Sequence, residues 1–167
     1  MLKKIFSKNK EEVASKIEVV KSPIKGKVLN LDEVPDDVFA TKMLGDGVAI
    51  EPEEGYVYSP IDGEVIQLFL PSKHAICIKG NSGVEVLIHI GLDTVSMKGE
   101  GFEAFVNTGD RVMCGQELIK FDLDKVKSNA KSIITPVIIT NIQDMKEFNI
   151  LQKGNINARN NLLEVIK

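Results

Sequence analysis

Histidine and cysteine, which often serve as nucleophiles or metal ligands, are scarce in this sequence of 167 residues. There are two histidines, His74 and His89, and two cysteines, Cys77 and Cys114. Two cysteines are too few for a disulfide framework or for a cysteine-based zinc site. An imidazole with an ordinary pKa of ~6.5 is largely neutral near neutral pH, and it can then act as a nucleophile, a base or a metal ligand. Any imidazole chemistry must therefore use His74, His89 or both.

His89 lies at the end of a predicted strand. In segment 84–91 (Val-Glu-Val-Leu-Ile-His-Ile-Gly), positions 84, 86, 88 and 90 are valine or isoleucine. Successive side chains of a strand point to opposite faces, so these four share one face and His89 lies on the other. Gly91 ends the strand and a loop follows. The pattern places His89 among apolar residues where the chain turns.

His74 stands at the start of the preceding predicted strand, residues 75–78. The segment 79–83 (Lys-Gly-Asn-Ser-Gly) is typical of a hairpin turn between this strand and the strand of His89. Counted outward from the turn, the two histidines fall nearly opposite each other in an antiparallel pair. We therefore predict that both histidines share one site at the open end of the hairpin.

Two adjacent imidazoles are compatible with three kinds of site. Zinc usually takes three or four protein ligands, and the third would have to be Asp93 or Glu85. General acid–base catalysis is the second possibility. The third is a phosphohistidine, in which one imidazole is the nucleophile and the other donates a hydrogen bond to the phosphoryl oxygens. The residue types alone leave these alternatives open.

The elements that must position the histidines are short strands. Apolar runs rich in valine and isoleucine alternate with glycine, proline, asparagine and aspartate, which is typical of an all-β antiparallel sandwich or barrel. The predicted strands are 17–20, 27–31, 47–50, 55–58, 64–70, 75–78, 84–90, 104–106, 111–113, 117–121, 137–140 and 162–166. Only residues 122–131, with Asp122 as the N-cap, look helical, and a second helical turn is expected at 144–148.

The sequence contains an internal echo. Residues 22–28 (Ser-Pro-Ile-Lys-Gly-Lys-Val) recur as residues 59–65 (Ser-Pro-Ile-Asp-Gly-Glu-Val), 37 positions later. Proline fixes φ and glycine permits unusual backbone angles, so each copy reads as a tight turn that feeds a strand. Two such turns predict a duplicated motif and a pseudo-symmetric β fold.

The composition limits the class of protein. The net charge is −3, and 43% of residues are hydrophobic, 27% charged and 5% aromatic. These values are ordinary for one soluble domain, and they are not typical of a nucleic-acid-binding protein. No apolar run is long enough for a secretory signal or a membrane span, so the expected location is the cytoplasm.

We expect one domain over residues 17–167, preceded by a mobile tail over residues 1–16. The tail is polar and rich in lysine. An alternative role for it is peripheral contact with an anionic membrane through Leu2, Ile5 and Phe6.

Several motifs resemble, in the same order, those of the glucose-type enzyme IIA of the bacterial sugar phosphotransferase system. Segment 89–95 (His-Ile-Gly-Leu-Asp-Thr-Val), followed by 98–102 (Lys-Gly-Glu-Gly-Phe), is similar to the active-site signature of that family. Other similar segments are 34–40, 45–50, 59–63, 81–85, 121–123 and 135–137. The resemblance covers about residues 17–167.

The resemblance implies a role for each residue near the histidines. His89 would accept a phosphoryl group on Nε2 from the phosphohistidine of the carrier HPr, and would pass it to a cysteine of a sugar-specific IIB domain. His74 would stabilise the phosphorylated state. Ser72, where the family usually has threonine, would orient His74 through its hydroxyl. The Gly91 carbonyl would hold the Nδ1 proton of His89, and the Asp93 carboxylate would meet basic partner surfaces.

The two partners would dock on an apolar rim around the histidines, because methionine and leucine side chains repack against different surfaces. The candidates are Phe39, Met43, Leu44, Leu70, Ile76, Ile88, Ile90, Val95 and Met97. We expect about half of them to be exposed. Cys77 is expected to be a buried strand residue and Cys114 a partly exposed turn residue. No cofactor and no metal are expected.

Three other interpretations remain. The turn at 108–118 resembles one in biotinyl and lipoyl carrier domains, but Met97-Lys98-Gly99 has only half of the Met-Lys-Met cofactor tip. A zinc hydrolase of related β architecture is a second alternative. The third is a regulator whose targets read the phosphorylation state of the same face, since a phosphoryl group adds about two negative charges. Sugar specificity is expected to lie in the IIB and IIC partners.

Overall fold

The computed structural model describes residues 17–167, which form short strands with few helices. The strands are β1 Ile17–Lys21, β2 Gly26–Asn30, β3 Asp46–Pro52, β4 Tyr56–Tyr58, β5 Gly63–Leu68, β6 Ala75–Gly80, β7 Glu85–His89, β8 Phe102–Ala104, β9 Arg111–Val112, β10 Glu117–Phe121, β11 Thr135–Ile139, β12 Glu147–Ile150, β13 Gly154–Ile156 and β14 Asn161–Ile166. The helices are α1 Asp37–Ala40 and α2 Leu123–Asn129, with 3-10 turns at Leu31–Glu33, Thr94–Met97 and Ile142–Asp144. The prediction of an all-β antiparallel fold is confirmed. The predicted tail at 1–16 lies outside the described residues.

The order of the strands shows an approximate two-fold symmetry. The eight-stranded sheet runs β13-β2-β3-β11-β7-β6-β5-β9, and two three-stranded sheets run β1-β14-β12 and β4-β10-β8. All named strand pairs are antiparallel. An axis between β11 and β7 exchanges β2, β3 and β11 with β5, β6 and β7. The same axis exchanges the two smaller sheets, so the fold is two interleaved copies of one motif.

The two copies of the repeated turn make the same hydrogen bonds. Ser22 Oγ donates to the carbonyl of Ile24, and Ser59 Oγ donates to the carbonyl of Ile61, both at 2.8 Å. Both serines are buried, so these bonds satisfy hydroxyls that have left water. The pseudo-symmetry predicted from seven residues in each copy therefore also holds for the hydrogen bonds of the two turns.

The two turns also bond to each other reciprocally. Lys21 N donates to the carbonyl of Pro60, and Tyr58 N donates to the carbonyl of Pro23, both at 2.9 Å. Each donor stands just before its repeated serine and each acceptor just after the other one. These two hydrogen bonds join the two halves of the molecule at equivalent positions.

The eight-stranded sheet is apolar on both faces. One face packs on the main core, to which β7 contributes Val86 and Ile88. The other face contributes Cys77, Leu87 and Ile138 to a second cluster. That cluster is covered by the connection between β2 and β3, through the buried residues Leu31, Val34 and Phe39. The face of β7 that carries His89 is thus the face under this connection.

Two of the local predictions need correction. The predicted helical turn at 144–148 is wrong, because Glu147–Ile150 is strand β12, paired with β14. The predicted strand 104–106 overlaps the observed strand Phe102–Ala104 only at residue 104. In both cases pairing with a distant strand overrides the local preference. The predicted helix at 122–131 is present as Leu123–Asn129, and Asp122 accepts its capping bond from Lys125 N at 3.1 Å.

No helix within residues 17–167 has the length and apolar character needed to cross a membrane.

Candidate active site

The hairpin β6–β7 brings the two histidines together. His89, the last residue of β7, is paired with Ala75, and His74 directly precedes Ala75. The imidazole rings are 4.9 Å apart between centroids and almost perpendicular, at 84°. This is the arrangement expected from counting outward from the turn.

The tautomer of His89 is set by the Gly91 carbonyl. His89 Nδ1 lies 2.7 Å from the carbonyl oxygen of Gly91. A carbonyl oxygen only accepts hydrogen bonds, so Nδ1 must carry the proton. When the ring is neutral, Nε2 then has a free lone pair. His89 is half-buried, and it is the imidazole of the pair suited to act as a nucleophile.

The pKa of His89 is the outcome of opposing effects. Burial, the largest effect, lowers it, because an imidazolium loses hydration inside the protein. The hydrogen bond to Gly91 and the carboxylates of Asp36 and Asp93 raise it in part. The net pKa is below the ordinary value, so the ring is neutral near pH 7.

His74 is held in the complementary tautomer by Ser72. His74 is buried, and its Nδ1 lies 2.5 Å from Ser72 Oγ. The only other acceptor for this hydroxyl in the described residues, the carbonyl of Phe69, is 3.5 Å away and therefore weak. Ser72 thus donates to Nδ1, which leaves the proton of neutral His74 on Nε2.

Burial, the larger cause, and the neighbouring His89 together lower the pKa of His74 to about 4. His74 therefore stays neutral over the physiological range. A neutral imidazole with its proton on Nε2 is a hydrogen-bond donor without a positive charge. The pair combines one nucleophilic nitrogen with one adjacent donor.

Gly91 occupies a position that excludes a side chain. Its φ is +66°, in the left-handed region that favours glycine. A Cβ there would come within 2.8 Å of both Ser132 O and Thr94 Cγ2. Asp93, two residues on, is exposed and precedes the 3-10 turn Thr94–Met97.

The structure divides the predicted docking rim into exposed and buried members. Met43, Leu70, Val95 and Leu44 are 74%, 65%, 58% and 41% exposed. Phe39 is buried, but its ring packs on the ring of His89 with centroids 5.0 Å apart.

Three rim residues are placed wrongly by the prediction. Ile76, Ile88 and Ile90 are fully buried in the main core. Ile88 lies on the sheet face opposite to His89, since side chains along β7 alternate, and Ile76, the strand partner of Ile88, packs in the same core. Met97 is half-buried and also packs against the main core.

Two residues of the site were not predicted. Asp36 caps α1 by accepting from Val38 N at 3.0 Å, and its charge affects the pKa of His89 more than that of Asp93 does. Phe69 packs its ring edge-on against His74, with centroids 5.8 Å apart. The sequence indicates that Asp36 is a helix N-cap. The local sequence does not predict that this helix covers the end of β7.

The alternative sites find less support in the described residues. No group of three or more His, Cys, Asp or Glu side chains in residues 17–167 is arranged to hold a metal ion. Glu85 begins β7 and His89 ends it, so their Cα atoms are about 13 Å apart along the strand. Lys98 ends a 3-10 turn and does not stand at a hairpin tip.

Comparisons with known proteins identify a family that the chain resembles over most of its length. The family model described as phosphoenolpyruvate-dependent sugar phosphotransferase system, EIIA 1, matches residues 18–145. The PTS system glucose-specific EIIA component of Bacillus cereus is 54% identical over 144 residues, which cover 84% of this chain and 83% of that protein. The protein of the same description from Staphylococcus aureus is 46% identical over 154 residues, covering 92% and 91%.

A solved structure shares the fold. Glucose permease IIA from Mycoplasma capricolum superposes with a TM-score of 0.83 at 40% identity, covering 89% of this chain and 96% of that one. The family match, the similar relatives and the shared fold extend over most of the chain. The chain therefore belongs to the EIIA 1 family of the phosphoenolpyruvate-dependent sugar phosphotransferase system.

Proposed function

We propose that this protein is a histidine phosphoryl carrier of glucose type, working in the cytoplasm. The observation that carries the proposal is the bond from His89 Nδ1 to the Gly91 carbonyl, which leaves Nε2 as the nucleophile. In the first step the P–N bond of phosphohistidine on HPr breaks as a P–N bond to His89 Nε2 forms. In the second step that bond breaks as a P–S bond forms on a cysteine of a IIB domain.

His74 is proposed to stabilise the phosphorylated state. Its Nε2–H, oriented by the Ser72 hydroxyl, is placed to donate to a phosphoryl oxygen on the neighbouring ring. Because the pKa of His74 is near 4, the donor is neutral and does not bind the phosphoryl group as an ion pair. A neutral donor favours a group that must be released to the next protein.

The exposed apolar side chains are proposed as the docking surface for HPr and for IIB. Met43, Leu44, Leu70 and Val95 belong to segments that adjoin α1, Ser72 or Asp93 in the chain. Exposed apolar side chains that form one patch are typical of docking sites. The nearby carboxylates, Asp36 and Asp93, would meet basic partner surfaces. The same face would serve any regulatory target that reads the phosphorylation state.

The decisive experiment is phosphoryl transfer with purified enzyme I, HPr and labelled phosphoenolpyruvate. We expect His89→Gln to abolish labelling. We expect His74→Gln to be labelled by HPr but to lose onward transfer to IIB. Lys79→Gln, at the far end of the same hairpin, is the matched control and should transfer normally. A His89→Gln protein that is still labelled would refute the assignment.

The sugar served is tested separately. The similar relatives are described as glucose-specific EIIA components, and we propose that this chain also serves a glucose-type IIB domain. Phosphorylated protein should transfer its label faster to a glucose-type IIB domain than to one for an unrelated sugar. Equal rates to both would show that the chain is not selective for glucose.

A further inference from the structure

The Gly91 carbonyl must be held in place if it is to fix the tautomer of His89. Glycine has the largest backbone freedom of any residue, so its own conformation does not hold the carbonyl. A peptide group moves as a rigid plane. The direction of the Gly91 carbonyl therefore depends on what fixes the peptides on either side of this glycine.

The peptide group before Gly91 is bonded at both of its polar atoms by threonine hydroxyls. Thr94 Oγ1 donates to the carbonyl of Ile90 at 2.6 Å. The amide of Gly91 donates to Thr135 Oγ1 at 3.2 Å, and the same hydroxyl donates to Ile133 O at 3.0 Å. Both threonines are fully buried, at 0% exposure.

Apart from the His89 ring, whose Nδ1 donates to the Gly91 carbonyl, the peptide group after Gly91 is held by a backbone bond. Leu92 N donates to the carbonyl of Ser132 at 2.9 Å. Within residues 17–167, the two threonines thus supply the side-chain bonds to the peptide groups flanking Gly91, other than the bond from His89 itself. They come from different parts of the fold, because Thr94 follows β7 directly and Thr135 begins β11.

We propose that Thr94 and Thr135 are positioning residues for phosphoryl transfer, which clamp the Ile90–Gly91 peptide so that the Gly91 carbonyl holds the proton of His89 on Nδ1. This inference rests on the proposed function of His89. Neither threonine touches the reacting nitrogen, and both act through the glycine. Their hydroxyls keep Nε2 unprotonated and correctly directed without placing another polar group beside it.

The test replaces each threonine by valine, which exchanges the hydroxyl for a methyl group at nearly constant volume. In Thr135→Val and Thr94→Val, we expect nitrogen-15 NMR of His89 to show a larger fraction of the Nε2–H tautomer. We expect the pKa of His89 to fall, because the bond to Gly91 raises it. The rate of phosphorylation by HPr should fall about fivefold, the scale expected for one buried hydrogen bond.

Serine variants distinguish a positioning role of the threonine hydroxyls from a packing role of the threonine side chains. Thr135→Ser and Thr94→Ser retain the hydroxyl and should keep the tautomer and the rate of the unmodified protein. Thr140→Val removes a hydroxyl that bonds to Glu85 at 3.2 Å, beside the start of β7, and is the matched control that should leave His89 unchanged. If Thr135→Val does not fold, Thr135→Ala against Thr135→Ser gives the same comparison, since both lack the methyl.

The outcomes are distinct. If both valine variants lower stability but leave the tautomer and the pKa of His89 unchanged, the threonines are structural only and the inference is wrong. The NMR measurement needs no partner protein. A failure of HPr to label unmodified protein would therefore refute the proposed function without touching the tautomer result.

Discussion

The two imidazoles of the site differ in the hydrogen bond that each makes at Nδ1. His89 Nδ1–H donates a hydrogen bond to a backbone carbonyl, whereas His74 Nδ1 accepts one from a serine hydroxyl. The opposite roles of the two partners place the free lone pair on one Nε2 and the proton on the other. Complementary tautomers of one residue type thus supply a nucleophile and a donor.

Ser72→Ala tests the donor side of this pair. Without the hydroxyl, the proton of His74 can move between Nδ1 and Nε2. We expect labelling by HPr to persist and the transfer of phosphoryl to IIB to slow about five- to tenfold, the effect of about one hydrogen bond. Ser72→Thr keeps the hydroxyl and should transfer normally. Equal transfer rates for the alanine and threonine variants would contradict the role of Ser72.

The pKa of His74 predicts a dependence of stability on pH. It is about 4 in the folded protein and 6.5 for an ordinary, solvated imidazole, so below pH 6.5 the unfolded chain takes up a proton that the folded protein does not. Stability is therefore lost as the pH falls from 6.5 towards 4. Between pH 7.5 and 5 the loss from this group is about 2 kcal/mol.

Urea unfolding at these two pH values measures that loss. His74→Gln lacks the titrating group, so its free energy of unfolding should fall by about 2 kcal/mol less than that of the unmodified protein. The comparison concerns the change with pH and not absolute stability. The same change in both proteins would show that His74 is solvated like an unfolded residue.

At the scale of elements, the site depends on a connection that covers a strand end. The chain between β2 and β3 forms a 3-10 turn and α1, and it places Phe39 on the ring of His89. The Asp36 N-cap of α1 brings a carboxylate towards the same ring. One short helix therefore supplies both the apolar cover and a charge.

Phe39→Ala tests this cover. Removing a buried phenylalanine should cost about 3–5 kcal/mol of stability. The pKa of His89 should rise, because burial is the main cause of its lowering. An NMR titration measures this. Phe69→Ala, which removes the ring beside His74, is the matched control and should raise the pKa of His74 more than that of His89. An unchanged pKa of His89 in Phe39→Ala would show that other groups desolvate it.

At the scale of the whole molecule, the fold is symmetric and the chemistry is not. Pro52 pairs with Gly26, and Gly80 pairs with the equivalent Gly63. Counting back six residues along β3 and β6 from these pairs matches Asp46 with His74. Asp46 forms an ion pair with Lys42 at 3.3 Å. The copy of the motif that contains β2 and β3 thus has no imidazole at this position.

The paired glycines test the equivalence of the halves. A Cβ on Gly26 would lie 2.1 Å from Glu51 O, and one on Gly63 would lie 2.1 Å from Lys79 O. Backbone cannot yield as a flexible side chain does, so Gly26→Ala and Gly63→Ala should each cost roughly 2–4 kcal/mol. Urea unfolding of both variants checks this. Gly109 has positive φ and open space around it. Gly109→Ala therefore measures the cost of backbone strain without a steric clash, for comparison. Full tolerance of one substitution would contradict equivalent packing.

Local patterns in the sequence predict much of this fold. Alternation along residues 84–90 and the glycine-rich turn at 79–83 place His74 beside His89, because strand period and hairpin pairing are local rules. The same alternation puts Ile88 and Ile90 on the face opposite to His89, so their burial was already contained in the pattern. The strand β12 was missed, because its four residues pair only with distant β14.

What the sequence determined by itself is the set of chemical groups, the hairpin that pairs them and the repeated turn that duplicates the motif. Only the tertiary structure decided which groups surround each imidazole. Phe39, Asp36 and Thr135 reach His89 or its glycine from segments about 45 to 55 residues away in the chain. Contacts at that separation arise from packing of the whole molecule, and no local period or spacing encodes them.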